Sequence, residues 1–219
     1  MSTPLEIARN DPSSMKARIL NAARDLFGEY GFHGVTTRMI AKEVGIDIST
    51  LHYHWGDKES LYGGVLADIN DQIKAKLVEI ESEVHGQPIH YRLEVAIDIM
   101  CDFLFSNPAV AKLVSTSYFG KTRAPGIQDD VLVEQTSNIA VAMGLAVDKK
   151  DVSAEANARV LAVSNSIYSF ASGENSLRRI LRVDRDAYIK VVKDTLKFLL
   201  IPAFTQDRDE ERPKEAVKN

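Results

Sequence analysis

Hydrophobic residues recur every three or four positions along most of this chain, and that spacing places them on one face of an α-helix. In the N-terminal part the pattern predicts four helices separated by short breaks. The first begins near the cluster at 10–13 and ends at Gly28 and Gly31, and the next two are short. The fourth begins at Asp57 and keeps an apolar stripe as far as Val84.

The same periodicity continues through the rest of the chain, so an all-α protein is predicted. Further helices are expected over about 88–105, 108–120, 127–145, 148–172, 175–183 and 184–202. The segment 206–219 is highly charged and is predicted to be a disordered tail.

The two short N-terminal helices flank a turn that contains a glycine. A hydroxyl of Thr36 or Thr37 can cap the first of them, and Gly45 stands where helices commonly end in the left-handed conformation. Asp47 is predicted to cap the next helix, which extends to about Tyr53. A helix, a glycine-containing turn and a second helix together predict a helix-turn-helix unit.

Composition narrows the class of protein without identifying its partner. The 219 residues are 45% hydrophobic, which is enough for one large core or two smaller ones. Cys101 is the single cysteine, so an intramolecular disulfide is excluded and a reducing cytoplasm is expected. The N-terminus lacks a signal-peptide pattern, and no apolar run reaches the roughly 20 residues of a membrane span. We therefore expect a cytoplasmic protein with no membrane partner.

Charge gives no support for nucleic-acid binding. The formal net charge is −4, and residues 1–62 carry seven Lys and Arg against eight Asp and Glu. If DNA is the partner, a few well-placed cations and the N–H groups of helix N-termini must hold the phosphates.

The clearest signal is the segment 35–62, which reads VTTRMIAKEVGIDISTLHYHWGDKESLY, with ILNAARDLFGEYGF at 19–32 before it. The spacing of Thr-Thr, Ile-Ala, the turn glycine, Thr-Leu and Lys-Glu resembles the DNA-binding segment of tetracycline-repressor-like (TetR) bacterial regulators. Beyond residues 13–62 only the helical architecture matches. The resemblance implies a three-helix DNA-binding domain over 1–62 and a helical effector-binding and dimerisation domain over 63–205.

The third helix carries side chains that suit the major groove. Its N-terminal residues can reach base edges, where Ile48 and the Thr50 methyl can pack on a thymine methyl and the Ser49 hydroxyl can donate or accept. Leu51 and Trp55 are predicted to pack in the core. The predicted DNA-binding residues are Thr36, Thr37, Arg38, Asp47, Ile48, Ser49, Thr50, His52, Tyr53, His54 and Lys58.

The resemblance gives these residues different roles. It implies phosphate contacts for Thr37, His52, Tyr53, His54 and Lys58, and a base contact for Arg38. Two simpler interpretations stay open: Thr36 is only a helix cap, and His54 only caps or packs against Trp55.

His52 stands where the resembling regulators usually carry a phosphate-contacting tyrosine. A neutral imidazole can donate one hydrogen bond, and protonation adds a positive charge beside the phosphate. DNA affinity is therefore predicted to rise modestly as the pH falls from about 8 to 6.

Aromatic, sulfur and amide side chains of the C-terminal domain are candidates for an effector site. The resemblance implies a pocket between helices, and the predicted ligand-binding residues are Met100, Phe103, Tyr118, Phe119, Asn138, Asn165 and Tyr168. The alternative is that the apolar residues belong to the ordinary core and that the asparagines are surface amides.

Cys101 is predicted to be a small buried apolar residue. His85 and His90 lack metal-ligand spacing, and no metal or cofactor is predicted.

The helices near 151–172 and 184–202 are implied by the resemblance to form a homodimer interface, and the alternative is that they only bury one another. A dimer lets two recognition helices read a palindrome.

The predicted function is a repressor released from palindromic operator DNA by a small apolar or amphipathic effector. An activator of the same family and a helical protein-interaction module are the alternatives. The glycine-rich, G-x-S-x-G and H-E-x-x-H motifs of enzymes are absent from the sequence, so no catalytic role is predicted.

Overall fold

The computed structural model describes residues 2–119 and 129–205, without the side chains of 118, 119 and 129–131. Within these ranges the chain forms helices and no strand, which confirms the all-α prediction. The helices are α1 (Pro4–Asn10), α2 (Met15–Gly34), α3 (Thr37–Val44), α4 (Ile48–Trp55), α5 (Lys58–Val84), α6 (Ile89–Ser106), α7 (Pro108–Phe119), α8 (Asp129–Ala142), α9 (Ala154–Ser172), α10 (Glu174–Leu181) and α11 (Arg185–Thr205). The side chains of Tyr118 and Phe119 and the predicted tail 206–219 lie outside the described residues.

The chain divides into two compact units. Among the described residues, the first contains 2–75, 106–119 and 129–131, and the second contains 76–105 and 132–205. The predicted boundary after residue 62 falls inside α5, which runs unbroken past it. The first unit therefore combines the helix-turn-helix with α7, a helix that the resemblance placed in the second domain.

Local signals set the helix ends of the first unit. The Thr36 hydroxyl accepts the Met39 N–H at 3.2 Å, and an oxygen of Asp57 accepts the Ser60 N–H at 2.8 Å, so both helix starts are as predicted. Gly45 ends α3 with φ 76° and ψ 40°, the left-handed conformation expected there. Of the two predicted ends of α2, Gly28 lies inside the helix, whereas Gly31 has a non-helical backbone (φ 69°, ψ 170°) and marks a kink, beyond which the helix continues to Gly34.

A cluster of aromatic rings forms the centre of the first unit. Tyr62 meets Phe27 and Phe32 edge-on, each with ring centroids 4.9 Å apart. Its hydroxyl lies 2.5 Å from the Ser117 hydroxyl of α7, inside the core. Gly28 allows α2 and α7 to approach closely, since a Cβ there would lie 3.3 Å from the Ala109 backbone.

A short N-terminal helix, α1, was not predicted. Thr3 and Glu6 form a capping box at its start. The Thr3 hydroxyl accepts the Glu6 N–H, and the Glu6 carboxylate accepts the Thr3 N–H. Arg9 near its end donates to Asp68 of α5 at 3.0 Å, and Arg24 of α2 donates to the same carboxylate at 2.6 Å. Asp68 therefore ties three helices of the first unit together.

The second unit differs from the sequence prediction at the start of α9. A helix was predicted from 148, but Asp148 accepts the Lys150 N–H in a turn, and Ser153 caps a helix that begins at Ala154. At the start of α11 the prediction is confirmed, because Asp184 accepts the Ala187 N–H at 2.9 Å. The predicted end at 202 is wrong, since the helix continues through Pro202 to Thr205.

The core of the second unit contains Cys101, as predicted. The residue is fully buried, and burial raises the pKa of its thiol to about 12, so it is an inert apolar side chain. Tyr188 of α11 is also buried and donates its hydroxyl to the Phe170 carbonyl at 2.9 Å. In the described part of the chain no helix is long and apolar enough to cross a bilayer.

Candidate nucleic-acid interface

The start of α3 presents polar groups to solvent. Thr36 is exposed and its hydroxyl serves as the helix cap, while Thr37 is half-buried in the first turn. Arg38 is exposed, and among the described residues it has no hydrogen-bond or ion-pair partner. A free guanidinium next to open helix N–H groups is suited to phosphate or to a guanine edge.

The turn from α3 to α4 sets the angle of the second helix. Arg18 of α2 donates to the Val44 carbonyl at 2.8 Å and secures the end of α3. Asp47 occupies the cap position of α4 as predicted, but its side chain makes no cap hydrogen bond. Its backbone carbonyl accepts the Thr50 and Leu51 N–H groups instead, so the carboxylate remains on the surface.

The inner face of α4 fixes the helix to the rest of the unit, as predicted. Leu51 and Trp55 are buried, and the Trp55 indole N–H donates to the Lys16 carbonyl at 3.0 Å. The ring packs so closely on α5 that a Cβ at Gly64 would lie 2.4 Å from it. Residues on the opposite face of α4 are therefore held at a defined position.

The outer face of α4 is polar and aromatic. Ser49 and His52 are exposed, and Ile48 and Thr50 are half-buried near the helix start. Tyr53 is 84% exposed, an unusual environment for so large a ring. These residues form one continuous surface suited to a partner that offers both polar and apolar groups.

Lys58 is turned towards the end of α2 in this structure. Its ammonium donates to the carbonyls of Phe32 and Val35, each at 3.1 Å, and lies 4.2 Å from the centre of the Phe32 ring. The group therefore caps the end of α2 in this structure, and its contact with phosphate stays a prediction.

Most other cations of the helix-turn-helix region are also engaged internally. Arg9 and Arg24 share Asp68, and Arg18 holds the end of α3. In the described part of the chain, Arg38 and Lys42 are left without such partners, and both are exposed. Positive charge available to DNA is therefore concentrated on α3.

The two histidines of α4 make different hydrogen bonds. His52 Nδ1 lies 2.7 Å from the Gly56 carbonyl, and His54 Nδ1 lies 3.4 Å from the Lys16 ammonium. Burial, and then the positive charge of Lys16, lower the pKa of His54, which disfavours protonation of its ring. The pKa of the neighbouring Asp57 is lowered, chiefly by its hydrogen bonds with Ser60 and to a smaller extent by His52.

The predicted effector-binding residues lie on three helices of the second unit, apart from Tyr118 and Phe119, whose side chains are not described. Met100 is buried, and Phe103, Asn165 and Tyr168 are half-buried. The side-chain oxygen of Asn138 is buried without a hydrogen-bond partner. An unpaired buried amide oxygen costs roughly 1–3 kcal/mol, so this atom is suited to a donor from a ligand.

The structure indicates two candidate site residues that the sequence analysis did not identify. Asn157 on α9 also has a buried, unpartnered side-chain oxygen, and no local pattern distinguished it from a surface amide. Lys16 was counted only as a charge, because its position beside His54 depends on how α2 packs on α4. Among the described residues, no cluster of three or more His, Cys, Asp or Glu could hold a metal ion.

Comparison with known proteins supports the interpretation of the first unit as a helix-turn-helix DNA-binding unit. Residues 19–65 match the family described as bacterial regulatory proteins, tetR family. The HTH-type transcriptional regulator UidR of Escherichia coli strain K12 is 31% identical over 84 residues, covering 38% of this chain and 42% of UidR. An HTH-type transcriptional regulator of Staphylococcus aureus strain USA300 is 28% identical over 106 residues, covering 48% and 56%. The chain spans about half the length of these curated relatives.

Solved structures resemble most of the chain. A proposed fatty acid metabolism regulator from Clostridium perfringens has a TM-score of 0.65 at 20% identity, over 84% of this chain and 97% of that one. FadR from Bacillus subtilis, in complex with stearoyl-CoA, has a TM-score of 0.58 at 12% identity over 84% and 97%. At these identities the likeness is one of fold. With the helix-turn-helix geometry and the match over 19–65, it follows that this segment belongs to the tetR family of bacterial regulatory proteins.

Proposed function

We propose that this protein is a dimeric transcriptional repressor that leaves a palindromic operator when a small amphipathic molecule binds its second unit. The observation that carries the proposal is the outer face of α4, where exposed Ser49, His52 and Tyr53 are held in place by the buried Leu51 and Trp55. In a helix-turn-helix of this family, that face is suited to the major groove.

Dimerisation is supported by apolar surface on α11. Val191 is 42% exposed, Phe198 77% and Leu199 57%, and their spacing of seven and eight residues places them on one side of the helix. On α9, Ala158 and Ala162 are exposed small residues, which permit a close helix–helix approach. Burying these side chains against a second copy would remove them from water.

Effector binding is supported by the unpartnered oxygen of Asn138. The resemblance to a regulator solved with stearoyl-CoA makes a long-chain acyl thioester a reasonable first molecule to test. To shift a two-state population from 1:99 to 99:1, the effector must favour the non-binding conformer by about 5.5 kcal/mol.

The DNA-binding part is tested by enrichment of duplexes from a random-sequence pool on the full chain, followed by sequencing. We expect an inverted repeat, and we expect its affinity to fall steeply with salt. Recovery of no common sequence, together with salt-independent binding, would contradict the proposal.

The effector part is tested with the enriched duplex. Stearoyl-CoA is added to the preformed complex, with free coenzyme A and stearate as matched controls, and release is followed by fluorescence anisotropy. Release by the thioester alone supports an acyl-CoA effector. Release by stearate alone identifies the apolar chain as the group that the protein recognises. If none of the three molecules causes release, this class of effector is rejected.

A further inference from the structure

The two imidazoles of α4 have opposite hydrogen-bonding character in their neutral forms. A carbonyl oxygen only accepts, so His52 Nδ1 must carry a hydrogen in its 2.7 Å contact with Gly56. An ammonium only donates, so His54 Nδ1 must accept in its contact with Lys16. Neutral His52 therefore exposes an accepting Nε2, and neutral His54 carries its hydrogen on Nε2.

This difference matters because phosphate oxygens accept hydrogen bonds. Neutral His54 can donate to a phosphate without any change. Neutral His52 would direct a lone pair at the phosphate oxygen, and it becomes a donor through Nε2 only when the ring takes up a proton. The Gly56 carbonyl keeps Nδ1–H occupied in both states, so the ring cannot avoid this requirement by changing its tautomer.

The charged groups beside the two rings differ in sign. The Asp57 carboxylate, at the start of α5, interacts electrostatically with His52. Lys16 of α2 stands against His54, and Lys58 of α5 is turned towards the end of α2. Within the described residues, no hydrogen bond or ion pair from α3, which packs beside α4, reaches either ring. His52 therefore faces a negative group and His54 a positive one.

We propose that operator binding is coupled to the uptake of one proton per subunit at His52, whereas His54 contacts DNA as a neutral donor positioned by Lys16. The inference rests on the proposed function. It makes His52 a phosphate-positioning residue whose contribution grows as the pH falls, and it explains how a histidine serves at a surface that needs a donor.

The tautomers can be checked without DNA. Nitrogen-15 NMR of the histidine side chains in the free full-length protein distinguishes the Nδ1–H form from the Nε2–H form. We expect the Nδ1–H form for His52 and the Nε2–H form for His54 at pH 8. The opposite assignment for His52 would overturn the proposal.

The coupling is tested by anisotropy titration with a duplex enriched from a random-sequence pool, at constant ionic strength from pH 8 to 6. Wild-type affinity should rise by up to about tenfold per pH unit for each linked proton. His52→Tyr supplies a permanent hydroxyl donor and should remove most of this slope. His54→Gln, the matched control, should weaken binding at every pH and keep the slope.

Calorimetry in two buffers of different ionisation enthalpy gives a second readout. Proton uptake should accompany binding by the wild type and disappear in His52→Tyr. Salt-sensitive binding with no proton uptake, or an unchanged pH slope in His52→Tyr, overturns this inference while leaving the proposed function intact. If no variant at any pH shows salt-sensitive binding to a duplex, the proposed function fails and this inference fails with it.

Discussion

The outer faces of α4 and α11 are both open to solvent, but their chemistry differs. On α4 the exposed side chains are hydroxyl, imidazole and phenol groups, each with a polar atom. On α11 the exposed Val191, Phe198 and Leu199 are purely apolar. A polar face stays hydrated until a charged partner replaces its water, whereas an apolar face gains by being covered permanently. The difference fits the reversible DNA contact proposed for α4 and the lasting subunit contact proposed for α11.

Phe198→Glu is the strongest test of the proposed interface on α11. A carboxylate in an apolar helix pair is strongly unfavourable, so the variant should be monomeric by analytical ultracentrifugation. Losing the second DNA-binding unit should weaken binding to a palindrome by roughly 100-fold or more.

Val147→Glu is the matched control for Phe198→Glu, because Val147 is a fully exposed apolar residue outside the α11 face. It should remain dimeric with wild-type DNA affinity. A dimeric Phe198→Glu with an unchanged far-ultraviolet spectrum would show that α11 does not form the interface.

Arg38→Ala tests the DNA side and should leave the dimer unchanged. A lost base contact costs about 1–3 kcal/mol of binding free energy. We expect competition assays with single-base operator variants to show relaxed specificity at one position of each half-site. Lys42→Ala, the other unpartnered exposed cation of α3, should weaken binding to all operator variants alike and reduce the salt dependence. Equal affinities of Arg38→Ala and wild type for all operator variants would remove Arg38 from base recognition.

Gly64→Ala tests whether the outer face of α4 depends on the packing behind it. The added Cβ would meet the Trp55 ring, so the free energy of unfolding should fall by about 1–3 kcal/mol and DNA affinity should fall with it. Gly63→Ala is its control, because nothing lies within 4 Å of a Cβ there, and it should stabilise the helix by up to about 1 kcal/mol. Chemical denaturation measures both changes, and identical effects of the two substitutions would contradict this account of the Trp55 packing.

Asn138→Leu tests the polar atom of the second unit and has the smallest expected effect. Removing a buried, unpaired amide oxygen should raise the free energy of unfolding by about 1 kcal/mol and reduce the response to effector. Asn157→Leu removes the matching atom on α9, and comparing the two by thermal denaturation and DNA release separates stability from effector binding. A destabilised Asn138→Leu would indicate that the amide makes a stabilising contact in the folded protein.

The sequence was most informative where a structure depends on neighbouring residues. The caps at Thr36 and Asp57 and the turn at Gly45 follow from local backbone chemistry, and all three were predicted. The capping box of Thr3 and Glu6 carried a signal of the same kind for α1, but that stretch was considered only as a possible targeting signal.

Features that depend on distant residues were not predictable. The ammonium of Lys58 is directed by carbonyls more than twenty positions earlier in the chain, and the contact of Lys16 with His54 spans 38 positions. Likewise, an asparagine in a helix has the same sequence signature whether it is solvated or buried, so Asn157 was missed. The helix-turn-helix was recognisable because its chemistry is local, whereas the effector site depends on how separate helices pack.

The position of the Lys58 ammonium has a consequence for the architecture of the regulator. By bonding Val35 just before α3 and standing at the first residue of α5, it joins the entry and exit of the helix-turn-helix at a single point. A segment closed on itself in this way keeps its geometry through contacts within the first unit. Substitutions elsewhere in the chain can then accumulate without disturbing it, which accounts for a family match restricted to 19–65 in a chain that shares its wider fold at only 12–20% identity.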